Sequence, residues 1–107
     1  MIDVKEFLAE MQKQRQRFFP EAPVIYLEEL SFYVKARIIL SEGSFVEVRF
    51  NAHNGRKSYA LVRDGKRVAG FDNLGGWHIH PFGKPGAHRR ISEPPLAHVF
   101  EYFLRGA

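Results

Sequence analysis

The chain opens with a helical period. Val4, Phe7, Leu8 and Met11 recur at i, i+3, i+4 and i+7, which puts four apolar side chains on one helix face and predicts a helix over residues 3–17. Asp3 with Glu6 three residues on makes a capping-box start, and Phe18, Phe19 and Pro20 close the run. From Val24 to Asn73 the period drops to two. Phe32, Val34, Ala36, Ile38 and Leu40 alternate with Tyr33, Lys35, Arg37 and Ile39; after the Ser41-Glu42-Gly43-Ser44 turn, Val46, Val48 and Phe50 alternate with Glu47 and Arg49. A loop around Asn54-Gly55 leads to a third strand, Ser58 to Val62. The Asp64-Gly65 turn leads to a fourth, Arg67 to Phe71. Connections this short force consecutive strands to be antiparallel neighbours.

Residues 74–92 break both periods. They hold four of the nine glycines, Pro81, Pro85 and three of the five histidines, the composition of a long loop with work to do. Ser92 then offers an N-cap, Glu93, Pro94 and Pro95 suit a first turn, and Leu96, Val99, Phe100 and Phe103 form a second apolar stripe, predicting a helix over 93–105. The expected fold is α+β: a four- to five-stranded antiparallel meander over residues 24–73, packed against N- and C-terminal helices in a single domain, 1–107.

Length and composition narrow the class. A chain of 107 residues with 45% apolar and 26% charged residues can bury one core, and no second domain fits. No cysteine is present, so disulfides and thiolate metal sites are excluded. No run approaches the roughly 20 apolar residues of a membrane span, and the N-terminus lacks a signal-peptide pattern, so no membrane partner and a cytoplasmic location are expected. Charge is uneven: residues 1–53 carry seven Lys/Arg against eight Asp/Glu, residues 54–107 nine against four. The basic half offers Arg56, Lys57, Arg63, Arg89 and Arg90 to phosphates.

The candidate chemistry lies in Asp72-Asn73-Leu74-Gly75-Gly76-Trp77-His78-Ile79-His80-Pro81 and His88-Arg89-Arg90. An extended 77–80 segment puts His78 and His80 on one side, Trp77 and Ile79 on the other. These residues admit three uses. The imidazoles can bond loop backbone groups; they can serve with Asp72 as general acid and base, Arg89 and Arg90 holding phosphate; or they can hold a metal in an open site with His88 or Asp72 as third ligand. Too few ligands exist for a closed zinc site, and the reading adopted is metal-free acid/base use of His78, His80, His88 and Asp72, with no metal and no cofactor. His53 and His98 lack partners in sequence, and Trp77, Phe71 and Phe82 read as core or loop anchors.

Ser58-Tyr59-Ala60-Leu61, the Asp64-Gly65-Lys66 turn, Phe71-Asp72-Asn73 and the trailing His78, His80-Pro81-Phe82 and His88 together resemble the TumE-like family, toxin components of toxin–antitoxin pairs. The resemblance covers about residues 30–95, including the hairpin from Val34 to Phe50. Family members commonly follow the Asp-Asn pair at once with Ala-Pro-His-His, whereas here Leu74-Gly75-Gly76-Trp77 intervenes. The resemblance implies a small toxin that binds and cleaves RNA, with a cognate antitoxin protein as partner. A non-catalytic module binding nucleic acid or protein is the alternative, and an exposed edge strand allows a homodimer.

Overall fold

The computed structural model describes residues 2–84 and 86–106. Its elements are α1 (Val4–Phe18), β1 (Val24–Glu29), β2 (Tyr33–Ser41), β3 (Ser44–Asn51), β4 (Arg56–Arg63), β5 (Lys66–Asp72), β6 (His78–His80), β7 (Arg89–Arg90) and α2 (Leu96–Gly106). The strands form one antiparallel sheet in the order β1-β2-β3-β4-β5-β6-β7, an uninterrupted meander. The fold class is α+β as expected, but the sheet has seven strands rather than four or five. The additional strands β6 and β7 span only three and two residues, too short for an alternating pattern to show in sequence.

Asp3 caps α1 by accepting a hydrogen bond from the Glu6 amide at 2.8 Å. The second helix begins at Leu96, later than a Ser92 cap predicts. Two consecutive prolines explain this, because each disfavours helical φ/ψ in the residue before it, so Glu93 and Pro94 stay outside the helix and Pro95 supplies the first helical carbonyl, to Val99.

Both helices lie on one face of the sheet. Val34, Ala36 and Ile38 of β2, Val46, Val48 and Phe50 of β3, Tyr59 and Leu61 of β4, and Ala69 and Phe71 of β5 meet Val4, Phe7 and Met11 of α1 and Val99, Phe100 and Phe103 of α2. Phe7 stacks on Phe50 with ring centroids 4.6 Å apart, and Phe71 meets Phe103 edge-on at 5.8 Å. Each such phenyl contributes about 1.5–3 kcal/mol of burial. Phe82 is a loop anchor: its amide donates to the Tyr102 hydroxyl at 3.0 Å and its ring covers Gly106, where a Cβ would collide with it.

The opposite face carries no helix. Strict alternation along β2 and β3 sends Tyr33, Lys35, Arg37, Glu47 and Arg49 there. At one margin β1 leaves Ile25, Tyr26, Leu27 and, just beyond it, Leu30 exposed. No helix among the described residues is long and apolar enough to cross a membrane.

Candidate functional site

Cross-strand register assembles the site on the uncovered face. Lys35 pairs with Arg49, Arg49 with Ser58, Ser58 with Asp72, Asp72 with His78 and His78 with Arg90, a row running from β2 to β7. A parallel row runs Arg37, Glu47, Ala60, Gly70, His80. Ser58 and Ala60 are small, so the middle of the face is a shallow floor, and beside it the Arg67 side chain lies over Gly70, its Cδ 3.3 Å from where a Cβ would stand. Cations flank it on β2 and β3, and histidines flank it on β6.

The parity of β6 follows from its apolar neighbours. Ile79 is buried on the helix side and Trp77 packs toward Tyr59, ring centroids 6.3 Å apart, so His78 and His80 must point the other way. The connection from β5 is shaped by its polar residues. Asp72 Oδ1 accepts from the Leu74 amide at 3.1 Å, and Asn73 ties two loops together by accepting from the Lys57 amide and donating to the Gly55 carbonyl, both at 2.9 Å. Gly76, with φ of 109°, takes a conformation that side chains avoid, and the Arg90 guanidinium lies against it.

Asp72 is shared by two histidines. Its Oδ1 lies 3.1 Å from His78 Nε2 and its Oδ2 3.2 Å from His80 Nε2, with the three side chains only 12–22% exposed. On the far side of each ring, His78 Nδ1 meets the Gly76 carbonyl and His80 Nδ1 the Ala87 carbonyl, each at 3.1 Å. Carbonyl and carboxylate oxygens alike only accept, so each ring faces an acceptor at both nitrogens and a neutral imidazole can serve only one of them. The Arg67 guanidinium, which only donates, also approaches His80 Nδ1, with Nη2 at 3.4 Å. The exposed ring of His88 completes the group, its centroid 5.4 Å from that of His78 and 6.1 Å from that of His80. A shallow depression of about 350 Å³ lies before His78 and His88, bordered by Leu74, Gly75 and Arg90.

The four residues singled out for chemistry, Asp72, His78, His80 and His88, are thus together. The predicted phosphate-binding cations are not. Arg90 stands beside His78 and donates to the Gly75 carbonyl at 3.0 Å, and Arg56 borders a larger pocket of about 440 Å³ that reaches Asp72 from Tyr33, Arg49 and Asn51. Arg89 pairs in register with Ile79 and so falls on the helix-side parity. Lys57 is ion-paired with Glu93 at 3.1 Å, and Arg63 donates to the Gly106 carbonyl at 2.9 Å, at the end of α2 and on the helix side of the sheet. His53 stacks on Phe32 at 4.1 Å, and His98 borders a groove on α2, both away from the cluster.

Sequence reasoning missed Lys35, Arg37 and Arg49. Glu47 holds two of these, with Oε1 3.2 Å from Arg37 Nε and Oε2 2.9 Å from Arg49 Nη2. Burial alone would push the Glu47 carboxyl up, but hydrogen bonds and charge from Arg49, with Arg37 and Lys35 beside it, hold it below its ordinary value. On the helix side, burial pushes the Tyr59 phenol far up, with the charge of Glu93 adding to this, so Tyr59 stays protonated. No family model, no curated protein and no solved structure matches the chain.

Proposed function

We propose that this is a small toxin-like protein that binds RNA across its uncovered sheet face and cleaves it at the Asp72–His78–His80–His88 cluster. The observation that carries the reading is the arrangement of that face: cations of β2 and β3 on one side of a floor of small residues, three imidazoles and a carboxylate on the other. Lys35, Arg56 and Arg90 are placed to meet a phosphodiester backbone, and the 440 Å³ pocket beside Asp72 has room for a nucleotide. The toxin role and a cognate antitoxin partner are supported by the resemblance to TumE-like proteins.

RNA supplies its own nucleophile. Removal of the 2′-hydroxyl proton lets O2′ bond to phosphorus as the P–O5′ bond breaks, and the departing O5′ takes up a proton, leaving a 2′,3′-cyclic phosphate and a 5′-hydroxyl. His88, exposed and not held by a carboxylate, is the imidazole available to move a proton, while Arg90 faces the charge that develops on phosphorus. Incubation of purified protein with single-stranded RNA should give these two end groups, and His88→Ala should abolish cleavage while leaving binding intact. Growth arrest on induction, relieved by the product of an adjacent gene, tests the toxin role. Normal growth and intact RNA would together sink it.

One observation favours a second reading, a binding module without catalysis. His78 and His80 each hold a loop carbonyl through Nδ1, so both have a structural task. Salt-sensitive RNA binding with no cleavage under any condition would select this alternative.

A further inference from the structure

The hydrogen bonding of the cluster does not close with neutral imidazoles. Four acceptors surround two rings: the Gly76 and Ala87 carbonyls at the Nδ1 atoms and the two Asp72 oxygens at the Nε2 atoms. Two neutral imidazoles carry one N–H each, so two of the four acceptors face a bare nitrogen lone pair wherever the protons sit, and an ion between the carboxylate and the rings requires them on Nδ1. The Nε2 lone pairs then face carboxylate oxygens at 3.1 and 3.2 Å, an arrangement that repels unless positive charge lies between. Two added protons would supply it, and so would one dication.

We propose that Asp72, His78 and His80 bind one divalent transition-metal ion, with zinc as the reference case. Three features favour the ion over two protons. One ligand atom from each residue lies within 4.8 Å of the others. The N···O separations of 3.1 and 3.2 Å, one to each Asp72 oxygen, are each close to the distance between neighbouring zinc ligands, about 3.3 Å for bonds of about 2.0–2.1 Å, so the carboxylate would face the ion with both oxygens. Each Nδ1 lies 3.1 Å from a backbone carbonyl, the outer partner that would fix a metal-binding histidine with its Nε2 lone pair toward the ion.

The scaffold suits the task. Asp72 and His78 are directly opposed on β5 and β6, and His80 lies one pleat along the same face, so all three ligands ride on paired strands. Two imidazole nitrogens and one carboxylate leave a further position for water or substrate. The inference concerns the cluster already described but rests on its geometry alone.

Chelator-stripped full-length protein is titrated with Co²⁺ and followed by visible absorption, then competed with Zn²⁺. One ion per chain is expected, displaced stoichiometrically by zinc. His78→Gln and His80→Gln should each weaken uptake by more than about 100-fold, the upper end of what loss of an outer contact costs, while His53→Gln leaves it unchanged. In the unaltered protein, addition of Zn²⁺ should shift the ¹⁵N resonances of His78 and His80 Nε2 and spare His53 and His98, a readout that does not depend on any variant folding. Failure to take up Co²⁺ saturably, or uptake indifferent to both substitutions, overturns the proposal. An ion bound without RNA cleavage upholds it and removes the ribonuclease reading. Cleavage that persists in chelator, by protein that takes up no ion, does the reverse.

Discussion

Glu47 is the counter-ion that keeps two cations of the uncovered face occupied, and its removal should change how the protein holds RNA. Among the described residues on this face, Lys35, Arg56 and Arg90 make no close ion pair, Lys35 acting on Glu47 only through its charge, while Arg37 and Arg49 are both bonded to Glu47. Each phosphate neutralised on a single strand adds about −0.7 to the slope of log K against log salt, so three contacts give about −2.1. That corresponds to a loss of about 20-fold between roughly 50 and 200 mM salt. Glu47→Gln keeps the shape and the hydrogen-bonding reach of the side chain but releases the charge. With five cations available the slope should steepen to about −3.5, a loss of about 130-fold over the same interval, with tighter binding at the low-salt end. Fluorescence anisotropy of a labelled single-stranded RNA across the salt series reads both quantities. A slope that does not move with Glu47→Gln would mean that phosphates do not approach Arg37 and Arg49, and the binding face would have to be sought elsewhere.

Four further outcomes are expected. Arg63→Ala should lower stability by about 1 kcal/mol, through loss of its bond to the Gly106 carbonyl at the negative end of α2, and leave the RNA salt slope unchanged; thermal denaturation and the anisotropy series check the two halves. Because the fold holds the Glu47 carboxyl below 4.5, that group contributes stability that is complete above the unfolded value and is lost as pH falls through the folded one, so urea midpoints of Glu47→Gln should fall less steeply with acid than those of the native chain. Gly76→Ala forces a side chain into a φ of 109° and should cost about 1–3 kcal/mol by chemical denaturation, with greater damage to cleavage than to RNA binding because the turn positions His78. The exposed β1 edge should pair with a second copy of the chain, giving a homodimer by sedimentation velocity that Leu27→Lys dissociates.

How far the sequence could be read depended on the length of each pattern. The apolar stripes of both helices and the four central strands repeat often enough to be recognised, and Val34, Ala36 and Ile38 are buried as their alternation requires. β6 and β7 offer no such repeat, and only hydrogen bonding, of β6 to β5 and of β7 to β6, makes them strands. The convergence of Asp72, His78 and His80 needed no more than local parity, Trp77 and Ile79 marking the buried side. The cations needed more. Whether Lys35 or Lys57 shares a face with His78 depends on carrying parity through successive pairings from β2 to β6, and only the register of each pair fixes that count. Basic residues nearest the histidines in sequence were therefore favoured over those nearest in space, and Lys57, Arg63 and Arg89 proved to lie on the helix-side parity.

Asp72 is where the two halves of the uncovered face meet. It borders the larger pocket with Arg49 and Arg56, and it closes the cluster through both carboxylate oxygens. Any ligand seated in that pocket therefore lies against the carboxylate that orders His78 and His80. A phosphate there would be repelled by an uncompensated Asp72, since like charges at close range in a partly dry site oppose each other by several kcal/mol. Positive charge at the Nε2 atoms, whether two protons or one metal ion, removes that repulsion and would turn the carboxylate from an obstacle to phosphate into part of its seat. Phosphate affinity and occupancy of the cluster are thus linked, and by reciprocity a bound phosphate must raise the affinity of the cluster for its cation by the same factor.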